Sequence, residues 1–286
     1  MSDTQIKITV SDEDREIIKN FRLMDDSFME ICFRDNKEAV ELVLRIILNK
    51  ELTVIDVKTQ DGLQNLIGRS VRLDITAVDS EGTVYNIEIQ RSDKGGSAKR
   101  ARYNSSMLDT LVTEPGDDYE KLPESYVIFI TEHDVIGDGL PVYEFTYTEH
   151  KTHKPLGDGS HILYVNNEYR DDSELGRLMS DFSESDPDKM NYEVLAKTAR
   201  FFKEDERGVA DMCRVMEEKF NQGVRHGMEL GIQQGMQQGM QQGKAQERLE
   251  MIRNLMHSLG FSAEKAMETL CIPKSEWDQC LPRLQN

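Results

Sequence analysis

The sequence predicts a mixed α/β protein, on three observations. Residues 71–78 and 83–90 alternate apolar and polar side chains around a short loop, the period of a half-buried β-hairpin. Ser125 to Thr131 (SYVIFIT) is a continuous apolar run, the mark of a central strand covered on both faces. Helical segments precede and separate these strands, and the chain turns helical after Tyr169. The order is helix, strand, hairpin, helix, buried strand, then extra strands: a mixed sheet with an interrupted crossover and a helical C-terminal extension.

Each element has a local reason. Residues 12–20 are polar and at most helical. Asp25-Asp26-Ser27 can cap a helix carrying Phe28, Ile31 and Phe33, and Asn36 can cap a second, broadly apolar one. Leu52 to Thr59 reads as a strand, and Gly68 precedes the hairpin. Ser80-Glu81-Gly82 fits a three-residue loop, with Gly82 in the left-handed position that closes it. This register pairs Asp79 with Thr83, hence Asp74 with Glu88 and Arg72 with Gln90. Asn86 shares their face, while Leu73, Ile75, Ala77, Tyr85, Ile87 and Ile89 line the other. Gly95-Gly96 breaks to a helix from Ser97 to about Leu111. Val142 to Thr148 and His161 to Val165 form a further strand pair.

Helices follow at Ser173–Phe182, Tyr192–Lys203 and Gly208–Phe220. Glycine then recurs every fourth position from Gly223 to Gly243, with Gln pairs between. In a helix each glycine costs ~1 kcal/mol relative to alanine, so close approach to another helix would have to offset it. A four-residue step winds the stripe around the helix, which favours a partly helical, low-complexity spacer. An amphipathic helix returns at Ala245–Leu259. Two short helices end the chain, and their few basic side chains favour a packing module over a helix-turn-helix reader of DNA.

Composition narrows function. The net charge of −18 argues against general, sequence-independent nucleic-acid binding. The charge is uneven: Arg91 to Arg102 carries a local +4, whereas Glu114 to Asp138 carries −7. A basic run is commonly a solvated helix face, yet this one directly follows the hairpin and suits phosphate contact. No apolar run approaches the ~20 residues needed to span a bilayer. Met1 to Ser11 shows no secretory or transit signal, so a cytoplasmic protein is expected. Cys32, Cys213, Cys271 and Cys280 are scattered without metal-ligand spacing and read as reduced thiols.

The chemistry sits on the hairpin. Carboxylates directly opposite across two strands repel. A cation between them reverses that sign, and a hard ion such as Mg²⁺ or Mn²⁺ suits oxygen donors. The competing reading is a solvated sheet face whose charges happen to align.

The spacing of Asp74 from Glu88-Ile89-Gln90, in this order of elements, resembles the PD-(D/E)XK nuclease superfamily. The closer likeness is to its transposases and recombination-promoting nucleases. Met24 to Met29, Val71 to Ile75, Tyr85 to Gln90 and Lys99 to Tyr103 carry the likeness. Tyr164 to Tyr169, Leu178 to Phe182 and Phe202-Lys203-Glu204 extend it, so that it covers roughly residues 20–245.

The resemblance implies a restriction-endonuclease-like core and Mg²⁺- or Mn²⁺-dependent cleavage of DNA in recombination or transposition. It implies that Asp74, Glu88 and the main-chain carbonyl of Ile89 hold the ion. Asp26 is a candidate further ligand, with helix capping as its other role. The superfamily's lysine is Gln90 here, which can orient a water or phosphate oxygen but carries no charge. Arg72, Lys94 or Arg100 would then supply it. Arg91, Lys94, Lys99, Arg100 and Arg102 are the expected phosphate contacts, and Tyr103 packs beneath or stacks on a base.

The expected organisation is a nuclease-like core at 12–170, a helical extension at 171–222, the glycine-repeat segment at 223–244 and a small helical module at 245–286. Homo-oligomerisation through the C-terminal helices is open, as is the alternative of a catalytically inactive member serving as an interaction or assembly module.

Overall fold

The computed structural model describes residues 10–63, 71–91 and 96–284, without the side chains of residues 60–63 and 71–72. Gly68 therefore lies outside the described residues. The chain divides into two compact units, one ending at Glu218 and one beginning at Lys219.

The first unit is built on a six-stranded sheet. Its strands are β1 (Val54–Leu63), β2 (Val71–Asp79), β3 (Val84–Gln90), β4 (Ser125–Thr131), β5 (Val142–Phe145) and β6 (Ser160–Asn166), in the order β1-β2-β3-β4-β6-β5. β1, β2 and β3 are antiparallel, β3, β4 and β6 are parallel, and β5 is an antiparallel edge. β1 runs past the expected Thr59 because it pairs with β2 as far as Leu63 opposite Val71. The predicted hairpin register holds: Ile75 faces Ile87 and Val78 faces Val84. Gly82 closes the loop at φ +87°. Asp79, fully buried, secures it by accepting from the N–H of Thr83 (2.9 Å) and the hydroxyl of Tyr85 (2.7 Å).

Helices α1 (Asp12–Lys19), α2 (Asp26–Phe33) and α3 (Lys37–Leu48) precede the sheet. Ser11 and Asp14 form a reciprocal cap on α1, and the Asn36 side chain accepts from the N–H of Ala39 (3.1 Å) to start α3. Parallel β3 and β4 need a crossover, which α4 (Ala98–Val112) supplies. Its cap is Ser97, the residue at which the sequence places the start of the helix.

One face of the sheet is closed by α2, α3, α5 (Glu174–Ser183) and α6 (Glu193–Glu204), around Phe28, Phe33, Leu44, Ile75, Ile87 and Phe182. Val209, Met212 and Val215 join this core, so chain beyond residue 170 completes the core that the strands begin. The other face packs under α4 through Val84, Ala101, Leu108, Phe129 and Tyr164.

Leu73 corrects the sequence reading. It belongs with this second cluster, not with Ile75, and strict alternation is lost between the two. The described β2–β3 pairing ends at Ile75 opposite Ile87, just before Asp74.

The second unit contains most of α7 (Glu206–Leu259), a 54-residue helix, with α8 (Ala263–Thr269) and α9 (Trp277–Leu284). Leu249, Ile252, Met267 and Cys280 form a small core with Trp277, whose indole donates to the carbonyl of Ile272 at 2.9 Å. A packing module was the favoured reading here. The glycine repeat corrects another: it is continuous helix, not a partly helical spacer. The segment has no proline, and its Gln, Met, Arg and Leu are good helix formers. A methyl added at any glycine from Gly223 to Gly243 meets nothing within 4 Å, so no close approach inside the chain offsets their cost. Among the described residues no helix is long and apolar enough to cross a membrane.

Candidate functional site

The site forms where the hairpin ladder stops. At this point the two carboxylates take over the hydrogen bonds that the strands would exchange. The N–H of Asp74 donates to Glu88 Oε1 (3.2 Å), and the N–H of Ile89 donates to Asp74 Oδ2 (3.2 Å). Both side chains are thereby drawn into one place. Residues in a strand point their N–H and C=O to the same neighbour. The Ile89 N–H points to Asp74, and the Gln90 carbonyl points the other way, accepting from the N–H of Glu132 (2.9 Å). The Ile89 carbonyl therefore faces the Asp74 side.

Glu88 has no exposed surface. Asn86 Nδ2 donates to its Oε1 (3.0 Å), and Arg100 Nη2 donates to its Oε2 (2.6 Å). Arg100 Nη1 reaches Gln90 Oε1 at 3.1 Å, and the guanidinium lies 5.9 Å from the centre of the Phe129 ring. Asn104, one turn after Arg100 on α4, donates to Asn86 Oδ1 at 3.3 Å. The sequence singled out neither Asn86 as a carboxylate partner nor Asn104. The i, i+4 spacing of Arg100 and Asn104 on α4 and the Asn86–Glu88 alternation on β3 are the available signals.

Burial pushes the Asp74 carboxyl up to about 7, and the charge of Glu88 adds to the effect. Asp26 contributes in the same direction, against the N–H of Ile89 and the charge of Arg100. Burial also raises Glu88, while Asn86, Arg100 and the N–H of Asp74 counter it. Two acids held together at this depth resist double ionisation unless positive charge joins them.

The other predicted residues divide. Arg100 is a cation beside Gln90 and Glu88; the side chain of Arg72 and all of Lys94 lie outside the described residues. Asp26 sits exposed at the first position of α2, while Asp25 occupies the cap position without a side-chain capping bond. Among the described residues no three His, Cys, Asp or Glu side chains converge at metal-holding distance, and Asp26 is near enough for its charge to act on Asp74. Arg91 is engaged by Asp25 (2.6 Å) and Glu132 (3.3 Å), and Arg22 also reaches Glu132 (3.1 Å). These pairs pin the start of α2 to the ends of β3 and β4. Lys99 and Arg102 are exposed on α4, and Tyr103 is half-buried.

The donor set fits a divalent cation. Mg²⁺ is commonly held by one or two carboxylates plus substrate phosphates, and Asp74, Glu88 and the Ile89 carbonyl are hard oxygen donors.

A mixed sheet flanked by helices, with two acids side by side where a hairpin ends, defines a restriction-endonuclease-like α/β protein. A family model described as PD-(D/E)XK nuclease family transposase matches residues 33–180, and the chain belongs to that family. The matched stretch contains Asp74, Glu88, Gln90 and Arg100 but not Asp26. No match was found among curated proteins or among solved structures.

Proposed function

We propose that the protein is a metal-dependent DNA endonuclease acting in recombination or transposition. The observation that carries this reading is the joining of Asp74 and Glu88 through each other's main chains, with both carboxyls raised by burial. A divalent cation such as Mg²⁺ or Mn²⁺, held by Asp74, Glu88 and the Ile89 carbonyl, would activate water and offset charge on the scissile phosphate. The chain's own side chains do the rest. Arg100 holds Glu88 ionised and supplies the positive charge that Gln90 lacks. The Gln90 amide, fixed by Arg100 through its oxygen, keeps its N–H₂ free to orient a water or a phosphate oxygen.

The test is nicking of supercoiled plasmid by the full chain with Mg²⁺ or Mn²⁺. Cleavage that EDTA abolishes is expected; cleavage indifferent to EDTA removes the reading. Arg100→Ala should lower the rate on the order of a hundredfold, the scale for losing one preorganised charge at a reacting centre. Arg100→Lys should recover part of it. Equal rates for all three proteins would take Arg100 out of the chemistry.

A second reading is assembly without catalysis, and α7 is the observation that favours it. Phe220, Val224, Met228, Ile232, Met236 and Met240 recur every fourth residue and are all exposed. Pairing of two copies along the glycine stripe would cover them. Replacing Gly231 and Gly235 by alanine distinguishes a paired helix from a solvated one. In a pair the added methyls hold the backbones apart, and a dimer seen by light scattering dissociates. In a single helix the same change adds about 1 kcal/mol of stability per site and leaves a monomer.

A further inference from the structure

We propose that the groove between α4 and the edge strand β5 holds an unpaired stretch of DNA, its phosphates on Lys99 and Arg102 and its bases on Phe145 and Tyr147. The proposal rests on the nuclease reading and names the form of nucleic acid that the carboxylate site meets.

The groove encloses ≈ 300 Å³ and has two chemically distinct walls. On one side are Lys99 and Arg102, exposed and without ion pairs among the described residues. Arg22 and Arg91, by contrast, are both taken up by acids. On the other side are Phe145, 44% exposed, and Tyr147, 50% exposed. The hydroxyls of Thr146 and Ser160 also line it.

Exposed aromatic rings on an unpaired edge strand invite association, and edges are ordinarily blunted by charge. Here the rings have a fixed orientation. Phe145 stands edge-on to Tyr164 (5.9 Å between centroids, 87°), and Tyr164 stacks on Phe129 (5.4 Å) beneath the Arg100 guanidinium. Beyond Tyr147 the chain forms a narrow arm, with Thr148 bridged to Pro155 and Lys151 and Lys154 exposed on it. Glu149 on the same arm accepts from the N–H groups of Lys151 and Thr152 (3.0 and 2.6 Å).

Cations along one wall and flat rings along the other are what an unstacked strand needs. Phosphates meet the cations, and any base offers a π-face to a ring. A blunt duplex hides its base faces in the stack and cannot use Phe145 and Tyr147. The position also links groove to chemistry. Lys99, Arg100 and Arg102 fall within one turn of α4, about 4.5 Å along its axis. Lys99 and Arg102 share one face of α4, whereas Arg100, about 100° round the helix from Lys99, reaches Glu88 and Gln90 on β3 from its other side. Groove and carboxylate site thus flank the same helix.

The experiment measures fluorescence anisotropy of a labelled mixed-sequence single strand, and of its blunt duplex, with the full chain in EDTA. The same proteins are then assayed for cleavage with Mn²⁺. The wild type should bind the single strand more tightly than the duplex. Phe145→Ala with Tyr147→Ala should weaken single-strand binding roughly five- to a hundredfold, the scale for losing a base-stacking ring. Lys99→Ala with Arg102→Ala should lower the slope of log affinity against log salt by about 1.4, two phosphate contacts on a single strand. These two side chains are exposed, so that variant tests the groove even where the ring variant is poorly folded. Asp74→Asn should bind like the wild type and not cleave.

The proposal is overturned by equal or tighter binding of the duplex, or by both double variants binding as the wild type does. Groove-dependent binding without metal-supported cleavage would leave the groove standing and remove the nuclease reading. Asp74-dependent cleavage indifferent to the groove variants would do the reverse.

Discussion

Asp74→Asn and Glu88→Gln are each expected to lower plasmid nicking a thousandfold or more, on the order of the loss of a reaction's main electrostatic group. Neither change removes volume, and each amide oxygen can still accept the main-chain N–H that the carboxylate accepts now. The fold should therefore survive, and circular dichroism with the wild-type helix content is the control. What is lost is charge. A cation held by one carboxylate and a carbonyl has half the anionic donors and no reason to stay. The Glu88→Gln variant has a second consequence. Arg100, no longer bound to an anion at 2.6 Å, faces a neutral amide. The two variants should therefore differ in salt sensitivity while sharing the loss of rate. Retention of nicking within tenfold of the wild type in both would end the assignment of these residues, whatever the family.

Much of this site was legible because a β-hairpin obeys a period of two. Once Ser80-Glu81-Gly82 was read as the loop, the register followed, and with it the approach of Asp74 to Glu88. The cap Asn36 and the start of α4 at Ser97 are legible for the same kind of local reason. What failed was whatever depends on distant chain. Leu73 was assigned by alternation, but the strands part at Asp74, and the side chain packs with α4. The cation beside Gln90 is open in the sequence between Arg72, Lys94 and Arg100, and only Arg72 follows from the register. The guanidinium that arrives comes from a helix above the sheet, which no strand period encodes. Arg91 looked free because Asp25 and Glu132 stand 66 and 41 residues away in sequence. The glycine repeat is judged in the sequence by helix propensity and by the winding of its stripe. Here one glycine in four did not break a segment otherwise made of good helix formers.

Without metal, the folded protein should lose stability as pH rises from about 4 to about 7, and Asp74→Asn should lose less. The sign follows from proton binding. An ordinary aspartate releases its proton near 3.8, as Asp74 does in the unfolded chain, whereas in the fold it holds it until about 7. Between these values the folded state carries the extra proton, so each step up in pH favours unfolding. Below the window both states are protonated; above it both are ionised and the penalty is constant. At about 1.4 kcal/mol per pH unit the gap is at most about 4 kcal/mol, reduced by coupling to Glu88. A chain of this size should show it as a Tm difference on the order of 5 °C between Asp74→Asn and wild type at pH 8, with the variant higher. At pH 4 the two should coincide. Other buried acids with raised values, Asp109 and Asp181, act in the same direction. The difference between the two proteins, not the wild-type curve alone, therefore isolates Asp74. Mg²⁺ or Mn²⁺ should restore Tm in the wild type at pH 8 by binding the folded state. It should do little at pH 4, where protons compete for the same oxygens, and little in the variant at any pH. Equal Tm values for the two metal-free proteins at pH 8 would mean that the charges of Asp74 and Glu88 do not oppose each other in the fold. Restoration of the variant by metal to the same extent would mean that the ion binds elsewhere.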